Sequence, residues 1–182
     1  MIRLTLWIVA GLFLGTIIHI VAVIGLPALS PDRIWTRVEA LAPNDTVVVL
    51  DAVKADRETL PMLDPAMEHA LCRFSNSKNA QLISGSMDGV YWSLGLFNRR
   101  GEILYSLNDR SIGEGPLKLA ISTQRQLLKL QENPPEDIDE YVIVEVPEQE
   151  MFVLVRSFRT DPSAGTAVRK MLGELSCLPI ER

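Results

Sequence analysis

Cys72 and Cys177 are the only two cysteines in the 182-residue sequence. An even pair in an exported chain points to a disulfide, here closing a loop of about 105 residues. The alternative is two buried thiols, one from each of two expected helices. A nucleophilic thiolate would need a base beside it. His69 is the only histidine outside the N-terminal apolar run, and it stands three residues from Cys72 on an expected helical turn. Glu68, His69 and Cys72 also sketch a metal site. Structural zinc takes four ligands, however, and no second pair follows at recognisable spacing. A solvated histidine beside a disulfide is therefore expected, with no metal. Asp137-x-Asp139-Glu140 could collect calcium, yet it lacks the glycine and distal glutamate of a calcium loop. Gly113-x-Gly115 runs into Pro116 and a strand, where a phosphate cradle would open a helix. Ser84-Gly85-Ser86 reads as a turn and lacks the nucleophile-elbow pattern. The residues imply no cofactor.

One polar cluster holds more promise. Asn108, Asp109 and Arg110 stand together where a strong strand ends, and Arg73 follows the first cysteine. Strand ends leave backbone groups unpaired, and Asn and Asp satisfy them well. The other reading is a small polar pocket in which Arg110 or Arg73 holds an anionic ligand.

The elements that must position these residues begin with an anchor. From Leu4 to Leu26 no residue is charged. A helix of that length spans a hydrocarbon core of about 30 Å. A secretory signal has a shorter apolar region and a small-x-small site after it. Here the nearest such site, Ala28-Leu29-Ser30, lies beyond Pro27. An uncleaved transmembrane anchor is expected over 1–29, with the bilayer contacted through residues 4–26. Arg3 favours a cytoplasmic N-terminus, although Arg33 and Arg37 nearly balance it. Gly11-x-x-x-Gly15 could seat a second helix, and His19 is polar at depth; a neutral histidine bonded to a backbone carbonyl is the simpler account.

Residues 30–182 read as one domain. Ser30-Pro31 opens a helix carrying the stripe Ile34, Trp35, Val38 and Leu41, with Trp35 near the membrane exit. Thr46–Leu50 reads as a buried strand. Asp64-Pro65 repeats the cap-plus-proline signal, predicting a helical turn over 66–71. Gln81–Ser84 is a short strand, and Asp88-Gly89 supplies turn chemistry. Tyr91–Arg110 reads as a hairpin about a type I turn at Asn98–Gly101, pairing Phe97 with Ile103, Gly95 with Tyr105 and Ser93 with Leu107. Tyr105 would cover the bare backbone of Gly95. With both faces apolar, the hairpin is expected in the middle of a sheet. Leu117–Ile121 is a further strand, and Thr123 with Gln126 makes a capping box for the next helix. Tyr141–Val146 and Met151–Phe158 read as a second hairpin. Asp161-Pro162 caps a last helix with Val168, Met171, Leu172 and Leu175 buried.

The run Tyr91–Arg110 resembles the core signature of the domain-of-unknown-function 1254 family. Leu63-Asp64-Pro65 leading to Leu71–Phe74, the corner Glu132–Pro135 and Val144–Pro147 add to the likeness. The resemblance covers most of the chain, including the anchor and Cys177. It implies a predicted bacterial integral membrane protein and brings no catalytic residues with it.

The expected class is α+β: one N-terminal transmembrane helix, then a mainly antiparallel β-sheet domain with a few packing helices. The expected location is a bacterial inner membrane, single-pass, with the domain periplasmic. The net charge of −5 argues against nucleic acid as a partner. The expected role is a non-enzymatic binding or structural module whose partner is an envelope protein or lipid. The alternative is an enzyme acting on an envelope lipid or small amphiphile through Asp109 with Arg110 or Arg73.

Overall fold

The computed structural model describes residues 2–29, 33–54, 59–87, 89–113, 115–147, 149–161 and 163–180. The cap expected at Ser30-Pro31, Asp88 of the expected turn and Pro162 of the last cap lie outside them.

Two units make up the chain, Met1–Arg33 and Ile34–Arg182. The first contains α1 (Ile2–Leu29), whose stretch Ile2–Leu26 has a mean hydropathy of 2.4 and no buried face. It is long and apolar enough to cross a membrane. Its large side chains are exposed all round, which suits a lipid solvent. Thr16 turns its hydroxyl onto the Leu12 carbonyl at 2.9 Å, which satisfies the proton inside the helix itself. His19 is exposed and makes no such bond among the described residues.

The second unit is α+β and holds two sheets face to face. Sheet A has the order β1 (Thr46–Val49), β2 (Met67–Ser75), β8 (Glu150–Phe158), β4 (Trp92–Asn98), β5 (Ile103–Asn108) and is antiparallel throughout. Sheet B has the order β7 (Val142–Glu145), β6 (Leu117–Ser122), β3 (Gln81–Gly85), β9 (Ser176–Pro179), parallel only between β6 and β7. Alternation puts Phe74, Leu94, Leu96, Met151 and Val153 of sheet A against Ile83, Leu119 and Ile121 of sheet B. α5 (Gly165–Gly173) adds Val168 and Leu172 to that core. The other face of sheet A is covered over its β1-β2-β8 half by α2 (Arg33–Leu41) and the segment that holds Leu60 and Leu63. Trp35 is only 1 % exposed there, packed inside this second core with the Arg99 guanidinium 5.1 Å above its ring.

Several expectations change. Of residues 66–71, Ala66 is in a turn and 67–71 are strand, not helix. Asp64 does make the cap geometry, accepting the Ala66 N–H at 2.8 Å, but the chain then extends because β1 and β8 both hydrogen-bond to it. Met151–Phe158 forms no hairpin with β7, since the intervening turn carries the chain from sheet B to the centre of sheet A. Cys177 sits on a strand, β9, and not at a helix end. Asp161 accepts the N–H groups of Ser163 and Ala164, but α5 opens only at Gly165.

The hairpin turn forms as expected. Gly101 has φ 77°, its N–H reaches the Asn98 carbonyl, and Asn98 Oδ1 accepts from the N–H of Arg100 and Glu102. Phe97 pairs with Ile103, but a bulge beside Leu96 then shifts the register, setting Leu96 against Tyr105, Gly95 against Ser106 and Ser93 against Asn108. The ring of Phe97, two residues along the same strand, covers Gly95 in place of Tyr105: a Cβ on Gly95 would meet it at 2.6 Å. β5 also ends the sheet, so only β4 is interior.

The capping box is complete, with Thr123 N–H on Gln126 Oε1 at 2.8 Å and Thr123 Oγ1 accepting from Gln126 N–H, opening α4 (Gln124–Glu132). Thr123→Ala removes half of it and is expected to cost about 1 kcal/mol in a urea titration of the domain.

Candidate functional site

The polar residues nominated from the sequence do not converge. Arg73 lies on β2, with its Nε on the Ala42 carbonyl at 2.6 Å and Glu39 at 3.8 Å. Two strands, β8 and β4, separate it from β5, so it shares no pocket with Asn108. Asn108 is the cap of the single-turn α3 (Asp109–Ile112): its Oδ1 accepts from the N–H of Arg110 and Ser111, both at 3.1 Å, and from the Ser111 hydroxyl at 3.0 Å. Arg110 is exposed. Asp109 differs. One of its carboxylate oxygens is buried and has no hydrogen-bond partner among the described residues. It lines a cavity of about 460 Å³ with Met87, Tyr91, Trp92 and the backbone of three glycines, Gly89, Gly113 and Gly115. Capping accounts for Asn108 and leaves one Asp109 oxygen without a hydrogen-bond partner among the described residues.

A larger cavity opens on the part of sheet A that α2 leaves bare. It measures about 510 Å³ and its floor is the row Ser93, Gly95, Ser106 and Asn108. Phe97, Ile103 and Leu154 form apolar walls, and Tyr91 and Arg156 stand at one end. The groove exists because of side-chain size: three residues with little or no side chain, two on β4 and one on β5, face outward between bulkier neighbours. The sheet register aligns His69, Arg156, Ser93 and Asn108 across four strands. Arg156 donates from Nε to the Ser93 hydroxyl at 2.6 Å and makes no ion pair among the described residues. Phe97 is fixed by stacking on Phe152, with centroids 5.1 Å apart.

Sequence reasoning placed Ser93, Gly95 and Arg156 on strands but gave them no role. The available signal was a lone arginine following Phe152 and Leu154 in the outward series of a largely apolar strand. No pattern in the chain announces that the facing positions are small, because the bulge sets which residues face it.

His69, expected in solvent, is 2 % exposed at the covered end of this row. Burial holds its pKa below the usual 6.5 and Arg156 adds to the effect, against the opposing influence of Glu68 and Asp64. The folded state therefore resists a proton that the unfolded chain accepts, so stability falls as pH drops below about 6.5. His69→Gln should flatten that slope: urea midpoints measured at about pH 7.5 and about pH 5.5 should differ less than in the wild type. An unchanged difference would remove His69 as the cause.

Cys72 and Cys177 meet at disulfide distance, with Cα atoms 6.6 Å apart. The acidic loop is only partly solvated, because Lys118 reaches both Asp137 and Glu140 at 2.6 Å. Among the described residues no group of three or more His, Cys, Asp or Glu is placed to hold a metal ion.

No protein-family model matches the chain, and no curated protein sequence matches it. The chain is similar to solved structures, among them the two that follow. The VPA0106 protein from Vibrio parahaemolyticus superposes with a TM-score of 0.59 at 13 % identity, over 82 % of this chain and 35 % of its own. An uncharacterised protein from Burkholderia cenocepacia gives a TM-score of 0.42 at 12 % identity, over 91 % of this chain and 56 % of its own. The chain thus spans about a third of the Vibrio protein's length, and at this identity the likeness extends to the fold alone.

Proposed function

We propose that this is a membrane-anchored envelope protein whose domain works as a non-enzymatic binding module on the periplasmic face of a bacterial inner membrane. The groove on the bare half of sheet A carries the reading. It is concave and of small-ligand size, about 510 Å³, with Arg156 and several neutral polar groups converging on it beside the apolar Phe97, Ile103 and Leu154. The apolar span of residues 4–26 supports the tether. The paired cysteines support an oxidising compartment. The resemblance of Tyr91–Arg110 to the domain-of-unknown-function 1254 family belongs to the same proposal.

Native mass spectrometry of the detergent-purified protein tests it. Ser106 is an exposed residue of the groove's floor, so Ser106→Trp fills the groove without entering the core. A bound mass present in the wild type and lost in Ser106→Trp supports the binding module, and identical spectra overturn it. A reporter fused after Leu29 tests the orientation: activity on the cytoplasmic side would refute a periplasmic domain.

The unpaired Asp109 oxygen favours a second reading, an enzyme acting on an envelope lipid or small amphiphile. Here Asp109 would serve as the proton-accepting group within the cavity it shares with Tyr91 and Trp92. Incubation with membrane lipid extract should then release a product that Asp109→Asn does not. An unchanged lipid profile with the wild type would dismiss it.

A further inference from the structure

Resting on the binding-module reading, we infer that the groove takes a single-chain amphiphile with one carboxylate, a free fatty acid of short to medium chain, anchored by Arg156. The chain holds 23 acidic residues against 18 basic ones, yet none of the groove's lining residues is acidic. Among the described residues Arg156 is the groove's only charge, exposed and without a carboxylate partner.

Geometry narrows the anion. The Nε of Arg156 is held by the Ser93 hydroxyl, which fixes the guanidinium plane and leaves the two Nη groups as a fork. Such a fork matches a planar carboxylate with two parallel hydrogen bonds. Having accepted from Arg156, the Ser93 hydroxyl still has its own proton to donate. The Ser106 hydroxyl and the Asn108 amide nitrogen add donors, since neither has a partner among the described residues and Asn108 accepts its three bonds through Oδ1. One cation surrounded by neutral donors balances a monoanion, and a phosphate monoester would bring more negative charge than the groove compensates.

The apolar part follows from what is left uncovered. Ile103 is 59 % exposed and Tyr91 is 43 % exposed, both on the groove's rim, with Phe97 and Leu154 between them. These exposed side chains give the groove an apolar part beside the arginine end. A volume of about 510 Å³ lies within the range for small-ligand sites and suits one acyl chain better than a two-chain lipid.

The test uses the full chain in lipid nanodiscs, titrated calorimetrically with octanoate, octanol and octyl phosphate against empty nanodiscs. Octanoate is expected to bind in one site. Arg156→Gln should weaken it about 10- to 100-fold, the range for losing a charge-assisted pair. Octanol should bind at least about tenfold more weakly than octanoate to the wild type, and equally to wild type and variant. Because Arg156 is exposed, Arg156→Gln should fold, and an unchanged melting curve verifies that. Equal octanoate affinity in wild type and Arg156→Gln would overturn the assignment, and so would tighter binding of octyl phosphate than of octanoate. If octanoate fails while Ser106→Trp still removes a natively bound mass, only the ligand class falls. If both experiments fail, the binding-module reading falls with it.

Discussion

Replacing both cysteines together, Cys72→Ala with Cys177→Ala, is expected to lower the stability of the domain by about 3–5 kcal/mol. The separation of 105 residues makes the loop long, and the entropy a cross-link removes from the unfolded chain grows with loop length, though slowly. Position adds to this. Cys72 lies on β2 opposite Val47 and Val153, and Cys177 lies on β9 opposite Ile83, so the bond joins sheet A to sheet B through the core. Both sulfurs are buried, and alanine avoids the penalty of an unpaired hydroxyl that serine would bring. For a domain of this size the loss corresponds to roughly 10 °C in the melting temperature. Differential scanning fluorimetry on the full-length protein reads it, with dithiothreitol on the wild type as the matching control. A double variant that melts within about 2 °C of the wild type would show the bond to be dispensable.

The second large effect concerns Glu68, which is only 2 % exposed and carries two arginines. Its Oε1 accepts from Arg159 at 3.1 Å and its Oε2 from Arg169 at 3.2 Å. Arg169 continues to the Leu50 carbonyl at 2.6 Å and Arg159 to the Pro65 carbonyl at 3.1 Å. One buried carboxylate thus ties β2 to α5, to the end of β1 and to the segment after β8. Glu68→Gln keeps the shape but leaves two half-buried guanidinium groups facing each other without a counter-charge. The expected loss is about 3 kcal/mol in a urea titration. The triple variant Glu68→Met, Arg159→Met, Arg169→Leu should recover most of that loss, because an apolar cluster has no desolvation cost to offset. If Glu68→Gln changes stability by less than about 0.5 kcal/mol, the network contributes little and solvent already screens it.

What could be read in advance followed the range of the interactions responsible. Thr46–Val49, the Asn98–Gly101 turn and the Thr123 capping box depend on residues a few positions apart, and all three form. Only one pairing of cysteines was available, so proximity in space was the single question. Met67–Ser75 shows the opposite case. Asp64-Pro65 and the following Ala, Met, Glu and Leu favour a helix locally, and pairing on both edges overrides that weak preference. Likewise the α+β class was legible from alternation, while the insertion of β8 into sheet A was not, because no local pattern names a strand's neighbour. The candidate site fared worst. A one-residue bulge set which side chains of β5 face outward, and a polar cluster that looked contiguous in sequence divided among a cap, an exposed arginine, a distant strand and one unpaired carboxylate.

The central position of β8 has a bearing on biogenesis. β2 and β4 do not pair with each other; each completes its hydrogen bonding only on β8, which emerges about 50 residues after β4. During synthesis both strands therefore wait with an open edge and an apolar face, the condition under which chains pair wrongly or aggregate. Sheet A closes in one late, long-range step, so its folding should be slow for its size, with a high barrier set by topology. Passage across a membrane in an unfolded state would benefit from that delay. A nascent chain that cannot build its main sheet until residue 158 is available stays threadable for most of its length.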